Sequence, residues 1–408
     1  MNNSYENLNV RKHSPKAVII AAVLVGVCAL DVTSQVSFLN NGITIFNSNN
    51  QFVINGDVTH QQEGQIVNSG NFYIRGNWTN ENPTNAVFSS GTNGWVHLDS
   101  AIQASQNIGG TTVTRFNNLE LIGVGARKLD SIDVEIEDTL ALNTKDFEAG
   151  DNTVFVLSPG TGAVTRSSGF VSSTNDGGLS RNTTASEVYL FPVGSNVGTS
   201  RYRPVEITPA TDNTFKVRMA NVDATTESYD RSNREVTIGD ANPNFYHRIS
   251  STNSSDAADV TVYYDPVEDG NYQLLAQWDN MWKNIGVVAE TTGNNLVGIT
   301  KYGHTDFSHT PFILAEEMPA VFVANVFSPN GDGNNDILHL LGNSIDELTF
   351  TIYDRWGGKV FETTDASVGW DGSFKGKPMN VGVFVYFAKG KFKNGEEFDR
   401  SGNVTLLR

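Results

Sequence analysis

The chain has 408 residues, one cysteine and a formal charge of −17, from 45 acidic and 28 basic side chains. That charge repels phosphate backbones and excludes nucleic acid as a partner; a lone cysteine excludes a disulfide framework. A chain this long can fill two or three domains and stabilise them by core burial alone. The charge is uneven: residues 318–408 carry nine basic and eleven acidic side chains, residues 1–34 carry +1, and residues 35–317 hold the remaining −16.

Residues 1–34 read as a signal peptide. Arg11, Lys12 and Lys16 precede an apolar run of 14 residues, 17–30. A membrane span needs about 20 such residues, so the run has the length of a signal-peptide core instead. Val32 and Ser34 place cleavage before Gln35. Cys28 ends VGVC, but Val27 stands where a lipid-attachment sequence carries Gly, Ala or Ser, which disfavours lipidation. Cleavage at Gln35 leaves no cysteine, and therefore no thiol nucleophile or thiolate metal site.

Residues 35–176 carry an internal repeat. FVINGDVT starts at Phe52 and FYIRGNWT at Phe72, an offset of 20. Phe52, Ile54 and Val58 correspond to Phe72, Ile74 and Trp78, with a glycine turn in each unit. One such unit cannot cover its own apolar face, so neighbours must stack. Looser copies begin near Trp95, Phe116, Val134 and Asn152. The expected fold is a β-solenoid-like stalk or a repetitive β-sheet stack, and the passage resembles stalk regions of Bacteroidetes surface proteins. Short strands between Pro, Gly and Asn turns then predict one or two β-sandwich units over 177–317. EEMPA at 316–320 leads into a linker, 318–324. The whole chain is read as all-β.

Catalytic signatures are scarce: HExxH, GxSxG, a Walker loop and a dinucleotide fingerprint are all missing from the sequence. His304 and His309 flank Asp306, but five residues apart on one strand they would face opposite ways. Trp278 and Trp282 could stack on a sugar or fill a core. A lyase needs a base beside an acidic substrate that this acidic body repels. A hydrolase needs two carboxylates roughly 5 to 10 Å apart, and no spacing singles out a pair. No catalytic or cofactor-binding residue is assigned. Ser100, Ser131 and Thr139 follow aspartate as periplasmic O-glycosylation acceptors of Bacteroidetes do.

The last segment is the most specific. FSPNGDGNND, IYDRWGGKVFE, GWDG, GVFVYF and a terminal VTLLR follow one another over residues 325–408. In this order they resemble the gliding-motility-associated C-terminal domain, or type B sorting domain, of Bacteroidetes cargo exported by the type IX secretion system. The resemblance implies delivery to the cell surface or medium, with the secretion machinery as partner. Leu348, Phe350 and Ile352 alternate on one face, and Gly357-Gly358 turns the chain. VGVFVYF, apolar at both parities, predicts a central strand covered on both sides. Asn394-Gly395 predicts a hairpin. These elements fit an Ig-like β-sandwich ending on a strand, with Leu406 and Leu407 ordered.

Asn330, Asp332, Asn334 and Asp336 offer oxygens every second residue, with Gly331 and Gly333 between them. The pattern fits either a calcium loop, though without the EF-hand glycine or glutamate, or a nest of Asx turns. The sequence therefore reads as a non-enzymatic surface or secreted protein, adhesive or structural, for a surface glycan or a host or neighbour-cell ligand. The alternative is a secreted glycan-active enzyme or carbohydrate-binding protein.

Overall fold

The computed structural model describes residues 37–408 except 43, 49, 85–86, 102–104, 287–288, 294 and 394. The signal peptide and the cleavage site before Gln35 lie outside the described residues. Two compact units meet between Glu316 and Glu317.

The first unit begins as a parallel β-solenoid. Phe38, Val58, Trp78 and Ile108 stand in register in one sheet. Phe52, Phe72, Val96 and Leu119 stand in register in the other. The offset of 20 in the sequence is thus the advance of one coil. Inward residues are sealed: Val58, Phe72, Ile74, Trp78, Leu98 and Phe116 are all buried. The Phe52 and Phe72 rings stack at 5.1 Å. Gly76 is a steric necessity, since a Cβ there would lie 2.3 Å from the backbone of Gly56 and Asp57.

Several buried polar side chains of the coils are paired between coils. Asn40 Nδ2 lies 3.1 Å from His60 Nδ1, and Asn47 donates to Asn68 at 2.8 Å. The Trp78 indole donates to Thr114 Oγ1 at 2.8 Å.

At the end of the solenoid only the sense of pairing changes. Thr153–Val156 pairs parallel with Gly178–Thr183, which pairs antiparallel with Asn213–Ala220. The sheet then continues through Tyr246–Ser251, Ser308–Glu317 and Leu274–Trp278 to Trp282–Asn284, a path within one 14-stranded sheet. A five-stranded antiparallel sheet forms the other layer. Val156 and Leu179 of the solenoid share a core with Phe191, Val205, Phe215, Val262 and Ile299. The change of texture near 177 therefore marks a sandwich fused to the solenoid, because the last coil's edge and apolar face are both covered by the strands that follow.

That sandwich buries charge. Asp269 accepts from Arg203 Nη2 at 3.1 Å and from Arg203 Nε, and Arg201 approaches at 3.5 Å. His247 Nε2 meets the Arg203 carbonyl at 2.8 Å. Losing one partner of such a pair typically costs about 3 to 5 kcal/mol, because the other charge stays buried and unpaired.

The second unit is a sandwich of unequal layers. Its sheet has the order Val326–Phe327, Glu397–Leu406, Gly382–Phe392, Ile345–Tyr353, Lys359–Thr363. Leu348, Phe350 and Ile352 do share the inner face, with Phe384, Ala388, Val404 and Leu406. Short pieces make the opposing layer: Val321–Val323 paired with Leu340–Gly342, and a bridge between Leu338 and Trp370. Trp370 is buried against Phe384 at 4.8 Å, and its indole donates to the Ser373 carbonyl at 2.8 Å. Val321–Val323, read from sequence as linker, belongs to this core through Val323.

The strand containing VGVFVYF departs from expectation. It has a hydrogen-bonded neighbour on each side, yet only one face is covered. Phe384 and Ala388 are buried, whereas Val383 is 54% and Phe387 41% exposed. Central in hydrogen bonding and covered on both faces are separate conditions, and apolar content at both parities does not distinguish them.

Burial sets an acid limit on the first unit. It lowers the pKa of His247 to about 4 and also lowers those of His60 and His304. As pH falls from about 6.5 towards 4, the unfolded chain takes up protons at these rings that the folded chain refuses, so stability falls. Asp146, raised to about 6 by burial, acts oppositely, gaining its proton in the folded state first. Glu316, also raised by burial, acts with Asp146, and three rings against these two carboxyls predict a net loss between about pH 6.5 and 4.5 in urea midpoints of this unit. His247→Gln should make that slope shallower, by at most about 1.4 kcal/mol per pH unit.

Candidate functional site

The surface elements of the second unit are built by side-chain caps on backbone turns. In the 330–336 loop, Gly331 N–H donates to Asp336 Oδ1 at 2.7 Å and Gly333 N–H to Asp336 Oδ2 at 2.8 Å. Asn334 N–H donates to Asp332 Oδ1 at 2.7 Å, and Asp332 N–H to Asn330 Oδ1 at 3.0 Å. Both glycines sit at positive φ, +78° and +85°, which a Cβ would strain. The Asn334 N–H and the Asn330 amide hold the Asp332 carboxyl below its usual range. Of the two sequence readings, the nest of Asx turns describes this hydrogen bonding. Each Asp336 oxygen accepts one backbone N–H and keeps a second lone pair, so the same loop is open to the calcium reading of Asn330, Asp332, Asn334 and Asp336.

The turn 354–358 is built the same way. Asp354 Oδ1 accepts from Trp356 N–H and Gly358 N–H, each at 2.8 Å, with Gly357 at φ +80°. Trp356 is left 82% exposed, with the Arg355 guanidinium 5.1 Å from its ring centre. The C-terminus is fixed: Leu406 is buried, and Leu407 N–H donates to the Phe327 carbonyl at 2.9 Å.

Elsewhere the sequence candidates separate. His304 ends one strand and His309 lies on the next, across a turn. His304 Nε2 meets the Asp306 carbonyl at 2.8 Å, and its ring packs edge-on against Phe307 and Phe312. The His309 imidazole lies outside the described residues. Trp282 is buried and meets Trp278 at 74°, with Tyr229 edge-on to both; crossed rings offer no sugar platform. Ser100 is buried, while Ser131 is exposed at a turn.

One cluster had no sequence signal. On the outer face of the solenoid His97 Nδ1 lies 2.6 Å from Glu120 Oε2 and Nε2 lies 2.9 Å from Asn71 Oδ1. Asn143 donates to Glu120 Oε1 at 3.1 Å, and the Tyr73 ring covers His97 at 4.2 Å. Spacings of 26, 23 and 23 residues hide this row behind loops of unequal length. Both ring nitrogens have partners, so the row ties successive coils together.

Comparison with known families gives the second unit its role. Residues 321–406 match the family model of the CHU_C type IX secretion signal domain. The second unit is a type IX secretion signal domain. The match takes in Val321–Val323, in agreement with the packing of Val323 in this unit's core. No curated protein matches the chain. The sorting domain marks the chain as cargo for the cell surface or medium, and the type IX machinery as its partner.

The two readings of the 330–336 loop differ in their response to calcium. Asp336→Ala, which removes the acceptor of two backbone N–H groups, should lower the melting temperature of residues 317–408 in chelator-treated buffer. Millimolar calcium separates the two readings: a metal bound only by the folded state raises the parent's melting temperature by mass action, and a nest of Asx turns alone leaves it unchanged.

Proposed function

We propose that the chain is a non-enzymatic cargo that acts outside the cell as an adhesive or structural protein. The solenoid serves as stalk and the fused sandwich as head, carrying a ligand surface for a glycan or a neighbouring cell. The observation that supports this most is the shared core and continuous sheet of the first unit. Such a body transmits load from coil to head without a hinge between them, as a stalk must. Inner-membrane passage is assigned to residues 1–34 and outer-membrane passage to the sorting domain.

Two measurements test the assignment. N-terminal sequencing of surface material should begin at Gln35; a lipid on Cys28 would make the protein a lipoprotein. Deleting 317–408 should hold the mature body in the periplasm of its native host, read by protease accessibility on intact cells. Trp370→Ala should do so less completely, since truncating a buried Trp costs about 3 to 5 kcal/mol. Glycan-array binding by residues 35–317, with no cleavage of the bound glycan, is the expected signature of the head; turnover would establish an enzyme.

A further inference from the structure

Exposed large apolar side chains are not spread evenly over the described surface. Twelve of twenty lie in the sorting domain, which spans 92 of the 408 residues. In the first unit they occur singly in the sequence, as on ordinary surfaces. In the sorting domain several converge on the sheet face that its second layer leaves open.

That face is concave. Thr351 stands opposite Phe387, and Tyr353 opposite Val385. Tyr353 and Phe387 meet edge-on at 5.7 Å, forming one wall of a groove of about 760 Å³. Glu362, Lys389 and Arg355 stand at its rim. Val383 continues the apolar stripe along the same strand, two residues from Val385, and is 54% exposed. At one end stands Trp356, held out by the Asp354 cap. Trp and Arg beside a groove whose apolar stripe runs among Thr349, Thr351, Asp354, Glu362 and Lys389 are the residue types that dominate protein–protein binding energy. Because the cap fixes the turn before binding, little ordering entropy opposes docking.

Resting on the export reading above, we propose that this face, with Trp356 as its anchor, is the surface by which the secretion machinery holds the sorting domain. The occupant is a protein of that machinery. It lays an extended segment that carries both apolar and polar side chains into the Tyr353–Val385–Phe387 groove and receives the Trp356 ring in a pocket of its own. Charge argues against the other occupants. The sorting domain is close to neutral, with nine basic and eleven acidic side chains in 318–408, and the groove rim carries both signs. It has no net positive charge to draw it to an anionic lipid surface. Two copies of a chain of −17 repel one another.

The test uses the full-length chain in its native host. Trp356→Ala combined with Phe387→Thr should lower the surface-accessible fraction about tenfold or more, as expected for loss of a binding hot spot. Both side chains are exposed, so the purified double variant should keep the parent's melting temperature. Trp356→Ala alone, at a site 82% exposed, cannot unfold the domain and should show part of the loss. Val368→Thr, exposed but outside the groove, should be exported normally. A photo-cross-linking residue at position 356 should yield an adduct with an outer-membrane component of the secretion machinery.

Normal export of the double variant, while the 317–408 deletion stays periplasmic, would overturn this surface and leave the export reading intact. Normal surface delivery of the deletion would remove the export reading itself. Adducts formed only with a second copy of the chain, or only with lipid, would likewise overturn the proposed occupant.

Discussion

Each coil of the solenoid has two open strand edges and one apolar inner face, and the next coil satisfies both at once. The first unit depends on this coupling of backbone pairing to side-chain burial. It explains why Phe52 stacks on Phe72, why Gly76 admits no side chain, and why Asn40 pairs with His60 and Asn47 with Asn68 across neighbouring coils. It also explains how the stack ends. A parallel stack closed by another coil would only present the same edge again. Here Gly178–Thr183 accepts an antiparallel partner, Asn213–Ala220, and the sandwich covers what the last coil leaves open.

The sorting domain solves a different problem with the same material. Its sheet packs one face on a layer too small to be a second full sheet, and Trp370 supplies bulk where strands are short. The other face stays in solvent with its apolar side chains in place. Leaving such a face open costs solubility, which the strongly acidic first unit offsets. Turns on this domain are held by Asp336 and Asp354 accepting backbone N–H groups.

Much of this was legible in the residues. The 20-residue offset between FVINGDVT and FYIRGNWT reports coil length, because stacking forces equivalent side chains to recur once per turn. The ordered run from FSPNGDGNND to VTLLR reports the sorting domain, and alternation at Leu348, Phe350 and Ile352 reports which side faces inward. What stayed hidden depends on distance in the chain. The His97–Glu120–Asn71–Asn143 row needs the coil register, and unequal loops conceal it. The crossed rings of Trp278 and Trp282 depend on Tyr229, some fifty residues away.

The sequence by itself determined the all-β class, the repeat, the sorting domain and its role in export, because periodicity and local motifs are properties of neighbouring residues. Only the tertiary structure decided that the sandwich grows out of the solenoid's own sheet. It alone decided that the 330–336 carboxylates accept hydrogen bonds from within their own loop, and that the strand of VGVFVYF is bare on one side. Each of these is a question of which surface covers which, and coverage is set by long-range packing that no local pattern records.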